Sequence, residues 1–369
     1  MADLPGGATA PKIMVMGLGG FGALVADEMR HRNPLLEAVA VDTDAKALEA
    51  LEISQKICLG SSVTNGFGAG GSAELGRQAI EKDATAVRRS LRDVGLVVLV
   101  AGLGKGTGSG AMPVVARLAR GAGAAVTCLV ATPFGFEGEA AAKIAEEAIR
   151  KIRAHADAIV RVSNEAVVDK EHFDLPAKAA FARSRQVVSD GVFSIWKVLA
   201  QNGILGLDFS ALRVLLRQCD GFCRLAQSEA AGVHRDREVA EALTNHPLLN
   251  KGRALSGAAG VVAAFVGGPD LRLEEIEQVM EAVRAKLPEE ARINFGVAID
   301  PAMVNRMGAT LLVAEAWKEP LVDASGTSPN ELPLDFVGKG AFEGAEATVY
   351  NGENLDRPAY VRRGIALPR

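Results

Sequence analysis

Residues 102 to 110 read Gly-Leu-Gly-Lys-Gly-Thr-Gly-Ser-Gly, directly after the apolar run Leu96 to Ala101 and before the helix-like stretch Ala111 to Arg120. A strand, a loop of phosphate size and a helix in that order suit few folds. The five glycines of the loop let the backbone turn tightly and present bare N–H groups, Thr107 and Ser109 add hydroxyls, and the following helix start favours an anion. Lys105 would add a full positive charge. No Gly-Lys-Ser/Thr triplet closes the loop at the spacing of a Walker motif, so a different phosphate cradle is expected.

Short aliphatic runs recur at Ile13 to Met16, Ala38 to Val41, Leu96 to Ala101, Ala125 to Ala131 and Ala158 to Val162, with helix-length segments between them. Strands apolar on both faces imply a parallel sheet covered on both sides, with a ligand in the crevice beyond the strands' carboxyl ends. Ala177 to Asn202 carries Phe181, Val188, Phe193, Ile195, Trp196 and Leu199 without a proline, which predicts one long, largely buried helix. Beyond it, Val261 to Val266, Leu273 to Leu287, Asn294 to Ile299 and Ala309 to Ala314 predict a second, smaller α/β domain. From Lys318 onward Pro320, Gly326, Pro329 and Pro333 with scattered charges describe a flexible linker and tail. The expected division is 11–176, 177–203, 204–317 and 318–369.

A chain of 369 residues with 49% hydrophobic and 23% charged residues can bury two sizeable cores. Its net charge of -4 offers no general attraction to nucleic acid or anionic lipid. No apolar stretch of membrane-spanning length is free of charges and glycines, so direct membrane insertion is not expected. Cys58, Cys128, Cys219 and Cys223, with no signal peptide in Met1 to Ala10, suit a reducing cytoplasm. Cys219 and Cys223 lack a nearby second pair or histidine, so they read as buried thiols and no metal site is assigned. His31, His155, His172, His234 and His246 are scattered and form no recognisable triad.

Two further glycine loops decide between ligands. Gly17-Leu18-Gly19-Gly20-Phe21-Gly22, with Asp42 some distance on, fits a dinucleotide fingerprint and by itself favours an NAD-binding protein. That reading has no use for Gly66-Phe67-Gly68-Ala69-Gly70-Gly71 or for Gly104 to Gly110. Three glycine loops suggest a longer polyphosphate.

Gly-Lys-Gly-Thr-Gly-Ser-Gly at 104 to 110 is similar to the tubulin signature, and the chain resembles the bacterial FtsZ family from Ile13 to about Trp317. Val41-Asp42-Thr43-Asp44, Gly68-Ala69-Gly70-Gly71, Thr132 to Gly138, Ser163-Asn164 and Leu207-Asp208-Phe209 carry the resemblance in order. The resemblance implies an α/β fold with a Rossmann-like parallel-sheet GTPase domain, a long central helix and a smaller α/β activation domain. It implies GTP or GDP, with Mg2+ accompanying the nucleotide, and head-to-tail protofilaments in which the next subunit completes the active site. By carry-over, Gly19, Gly20 and Gly22 would meet the diphosphate, Ala69, Gly70 and Gly71 the terminal phosphate, and Gly106, Thr107 and Gly108 the phosphates again. Asp44, Gly104 and Lys105 belong to the same expected site. Glu137 and Asn164 would hold the ribose, Phe181 would stack on the base, and Asp208 would be the catalytic acid.

Departures from the family pattern set further expectations. Leu24 and Arg185 stand where the family has an Asn and an Asp that read guanine; Arg185 offers only donors to guanine's own N1 and N2 donors. Gly206 and Ala211 flank Leu207 to Ser210, so one carboxylate of the family's catalytic pair remains. A positioned acid or base contributes about 10²- to 10⁴-fold, so slow or absent hydrolysis is expected. Lys105 replaces a glycine and Ala141 an arginine near the nucleotide. Arg213 and Arg217 suit a solvated helix face. Asn354 to Arg363 is similar to the peptide by which FtsZ grips membrane tethers. The resemblance thus implies a cytoplasmic filament protein of cell division, at the inner membrane face through a tether; the alternative is a non-catalytic paralogue that scaffolds or regulates another FtsZ.

Overall fold

A computed structural model describes residues 12–168, 176–200 and 222–315, with the short segments 349–350 and 353–354 beyond them. Asp208 and its flanking loop, Arg213, Arg217, Cys219, His172 and the peptide from 355 onward lie outside the described residues.

The aliphatic runs become strands. β1 (Lys12–Leu18), β2 (Glu37–Asp42), β3 (Lys56–Cys58), β4 (Val94–Gly102), β5 (Ala125–Thr132) and β6 (Ala158–Ser163) alternate with helices α1 (Gly19–Arg32), α2 (Ala45–Glu49), α3 (Ser61–Thr64), α4 (Ala73–Lys82), α5 (Ala84–Ser90), α6 (Gly106–Gly121) and α7 (Glu139–Arg153). Their order in the sheet is β3-β2-β1-β4-β5-β6, and every neighbouring pair is parallel. The period-2 alternation of a strand splits each run between two cores. Ile13 and Val15 of β1, with Leu96, Val98 and Val100 of β4, enter one core, whereas Met14, Met16 and Leu18, with Val97, Leu99 and Ala101, enter the other.

The chain then forms α8 (Asn164–Val167) and the long helix α9 (Ala177–Ala200), which buries Val188, Val192, Trp196 and Val198 in the first of these cores. β7 (Phe222–Ala231), α10 (Arg235–Thr244), β8 (Ala258–Gly267), α11 (Leu273–Arg284), β9 (Arg292–Ile299) and β10 (Arg306–Glu315) follow. The sequence suggested a second, smaller α/β domain here. Its strands extend the first sheet, in the order β7-β10-β8-β9, with β7 parallel to β6 through the pairs Ile159↔Phe222 and Val160↔Cys223. β7–β10 and β10–β8 are antiparallel and β8–β9 parallel. A third core, containing Leu243, Phe265, Val279 and Leu311, fills the space between this part of the sheet and its helices.

Lys318–Arg369 forms a unit by itself. Its described part is an antiparallel pair, β11 (Val349–Tyr350) with β12 (Glu353–Asn354).

Candidate functional site

In an open doubly wound sheet the crevice lies where strand order reverses, and here the reversal falls between β1 and β4. β1 ends at Leu18 and α1 begins at the next residue; β4 ends at Gly102 and α6 begins at Gly106. Neither helix start is capped by a side chain, because Leu18 and Lys105 occupy the cap positions. The first-turn N–H groups of both helices are therefore available to an anion, reinforced by the positive ends of two helix dipoles. The two starts abut closely: a Cβ built on Gly19 would lie 3.0 Å from the Gly108 amide nitrogen. Thr43 Oγ1 and Thr107 Oγ1, 2.6 Å apart, tie the end of β2 to the same helix start.

The cleft over these termini has a volume of about 520 Å³, within the range of small-molecule sites. Gly19, Gly20, Asp44, Ala69, Gly70, Gly71, Lys105, Gly106, Thr107, Gly108, Glu137, Asn164, Phe181 and Arg185 all line it, so loops far apart in sequence converge on one space. Phe21, Leu24, Asp42, Phe67, Leu103 and Pro133 join them. Two residues expected at the site, Gly22 and Gly104, are not among those lining the cleft. A Cβ on Gly22 would stand 2.0 Å from the Val100 carbonyl oxygen, so its task is to seat α1 on β4. Gly104 turns the loop past Ala141, with its amide donating to Ser109 Oγ at 2.9 Å. Gly108 lines the cleft and also packs closely, since a Cβ there would meet the Gly102 carbonyl oxygen at 2.4 Å.

The carboxylates at the phosphate end already have backbone duties. Asp42 Oδ1 accepts from the Thr43 amide at 2.7 Å, and Asp44 Oδ1 accepts from the Ala47 amide at 2.9 Å as the cap of α2. Burial pushes the Asp42 carboxyl above the ordinary carboxylate range, against the amide bonds that pull it down. No group of three or more His, Cys, Asp or Glu among the described residues could hold a metal alone. Asp42 and Asp44 fit Mg2+ only as it is commonly held, by one or two carboxylates together with substrate phosphates.

At the other end the polar groups are paired across elements. Glu137 accepts from the Phe134 amide through Oε1 at 3.0 Å, while its Oε2 lies 3.3 Å from Lys105 Nζ. Lys105 thus turns towards the expected ribose ligand, although its side chain is 72% exposed. Asn164 is buried and its Oδ1 accepts from Ser184 Oγ of α9, which leaves its amide nitrogen to offer to the cleft. Phe181 packs edge-on against Phe134, 5.2 Å between centroids, and Phe134 stacks on Phe136. Arg185 Nε lies 3.2 Å from Glu28 Oε1 of α1. Sequence reasoning passed over Glu28; the available signal was its position four residues after Leu24, on the same face of α1. Phe67 and Phe136, 86% and 75% exposed, leave aromatic surface beside the cleft.

Comparison with known proteins agrees with this arrangement. Residues 12–171 match the model of the Tubulin/FtsZ family, GTPase domain, and residues 221–316 that of the FtsZ family, C-terminal domain. The chain is 30% identical over 328 residues to cell division protein FtsZ of Buchnera aphidicola subsp. Schizaphis graminum, covering 88% of this chain and 85% of that protein. It is 32% identical over 301 residues to cell division protein FtsZ of Azotobacter vinelandii, covering 81% and 76%. Among solved structures, an FtsZ dimer of M. jannaschii superposes with a TM-score of 0.78 at 29% identity, over 83% of this chain and 88% of that one. A GTPgS-bound protofilament of CetZ2 from Haloferax volcanii shares the fold, with a TM-score of 0.69 at 23% identity over 84% and 94%.

Proposed function

The chain belongs to the tubulin/FtsZ family, and from that premise we propose that it binds a guanine nucleotide in the cleft between β1 and β4 and assembles head to tail into protofilaments. The observation that carries this reading is the meeting of two uncapped helix starts, α1 and α6, with the Ala69–Gly70–Gly71 loop around one cleft. Bare amides at close range are how a site without a Walker lysine neutralises a triphosphate. Glu137 and Asn164 would take the ribose hydroxyls, Phe181 would offer a face to the base, and Mg2+, if it enters with the phosphates, would meet Asp42 and Asp44. Hydrolysis is slow in this reading, because Ala211 leaves Asp208 to position the water without a second acid. Phe67 and Phe136 beside the cleft support an arriving subunit as the lid. The protein would then serve cell division in the cytoplasm, with 354–363 as the segment that meets a membrane tether. No helix among the described residues is long and apolar enough to cross a membrane.

A second reading, a paralogue that scaffolds another FtsZ without turning over nucleotide, draws support from the ion pairs Lys105–Glu137 and Arg185–Glu28, which engage the ribose and base ends of the cleft. Equilibrium binding of GTP, GDP and ATP, followed by nucleotide-dependent sedimentation, separates the two. Micromolar binding with GTP-driven polymer supports the filament. Assembly only after a second FtsZ is added, with no nucleotide dependence, supports the scaffold.

A further inference from the structure

The base end of the cleft has an unusual polarity. Leu24, Phe181 and Arg185 line it, and none of the three can accept a hydrogen bond through its side chain. Arg185 is 22% exposed and is held through Nε by Glu28, which is 40% exposed and is not among the residues lining the cleft. A guanidinium carries five N–H donors in a fixed fork. With Nε committed to Glu28, the Nη groups are the ones left to meet a base. Glu28 therefore acts as a positioning residue: it fixes the direction of the fork from a neighbouring helix.

Resting on the nucleotide reading above, we propose that Arg185, oriented by Glu28, makes this end of the cleft a donor surface that prefers a purine with a carbonyl at C2 over one with an amine there. Guanine presents N1–H and a C2 amine, which are donors facing donors. Xanthine presents a carbonyl oxygen at C2 that can accept from the guanidinium, and hypoxanthine presents neither group at that carbon. Nucleotide affinity then comes from phosphate and ribose, and the base edge modulates it with a sign opposite to that of a carboxylate at the same place.

The test is equilibrium binding of GDP, IDP and XDP to the full chain and to the variants Arg185→Asp and Glu28→Gln. One hydrogen bond to a charged group corresponds to roughly tenfold or more in affinity, so XDP should bind about tenfold tighter than GDP, with IDP between them. Repeating the titrations at a pH low enough to keep xanthine neutral removes the negative charge that xanthine, unlike guanine and hypoxanthine, carries near neutral pH; the order XDP, IDP, GDP should persist there. Arg185→Asp should invert the order by replacing donors with an acceptor. Glu28→Gln should shrink the XDP-to-GDP ratio several-fold while IDP affinity stays within about twofold, a pattern that simple loss of packing would not produce. Three results overturn the proposal: tighter binding of GDP than of IDP and XDP by the unaltered chain, equal binding of all three, or an XDP-to-GDP ratio unmoved in Arg185→Asp. Failure of all three diphosphates to bind would instead remove the nucleotide reading itself, and this inference with it.

Discussion

Lys105 stands in a glycine loop where the family has a glycine, and its ammonium faces Glu137 rather than the helix start below it. A ribose that engages Glu137 would compete for this carboxylate and release the ammonium to the nearby phosphates. The lysine is solvent-exposed although Glu137 is only 14% so, and an exposed, mobile ammonium makes either contact modest, equivalent to a few-fold in affinity. Lys105→Ala should weaken GTP binding about three- to fivefold and GDP binding less, because the terminal phosphate carries the extra charge. Titration calorimetry with both nucleotides at two salt concentrations checks this; an equal loss for both, or none, means that the lysine serves Glu137 alone. Of the residues lining the cleft, the glycine-rich turns after β1 and β4 were legible as such, whereas Glu137 and Asn164 were singled out only through the family resemblance. Glu28 was passed over, since its place four residues after Leu24 gains meaning only once α9 brings Arg185 against it.

Among the elements, α4 and α6 depend on the absence of side chains where they cross. A Cβ on Gly110 would fall 2.0 Å from the Ala73 carbonyl oxygen, and one on Gly76 would fall 2.6 Å from the Gly106 carbonyl oxygen. Gly110→Ala should therefore force the helices apart, at a cost of about 1–3 kcal/mol in stability. α4 follows the Ala69–Gly71 loop, so nucleotide affinity should fall with it. Denaturant unfolding with a binding titration on the same preparation tests both; unchanged stability would show that the crossing relaxes freely. Helices and strands were readable from apolar period and length, as β4 and α9 illustrate. β3 was not, because three residues give no period, and the joining of β6 to β7 was not, because it depends on a pairing between Ile159 and Phe222 that no local pattern encodes.

At the scale of the whole molecule, the ten-stranded sheet is braced in its second half by a buried ion pair, Arg235 with Glu275, that reaches out to the exposed Asp270. Arg235 donates through Nε and Nη2 to the two oxygens of Glu275 at 2.8 and 2.9 Å, and through Nη1 to Asp270 at 2.8 Å. Arg235 and Glu275 are 3% and 2% exposed. Arg235→Leu would leave the buried Glu275 with only the Arg272 amide at 2.8 Å and the exposed Arg272 guanidinium at 3.7 Å, a loss bounded by the about 3–5 kcal/mol of a buried pair broken outright and readable as a lower denaturation midpoint. The guanidinium holds both carboxyls below the ordinary range in the folded state. Their contribution is accordingly present above the unfolded carboxylate pKa, near 4, and is lost as pH falls through the lower folded values. Acid titration of stability should be steeper in the unaltered chain than in Arg235→Leu, and parallel curves would discount the cluster. The close-packed glycines have a consequence for descent. Gly22, Gly108 and Gly110 touch neighbouring backbone and would persist in any lineage that keeps this sheet, whether or not it keeps a ligand. Gly70 and Gly71 have nothing within 4 Å and adopt φ of +54 and +82. A descendant that abandoned nucleotide could let that loop relax and lose those two first, so they, rather than the signature itself, record whether the ancestral trade is still practised.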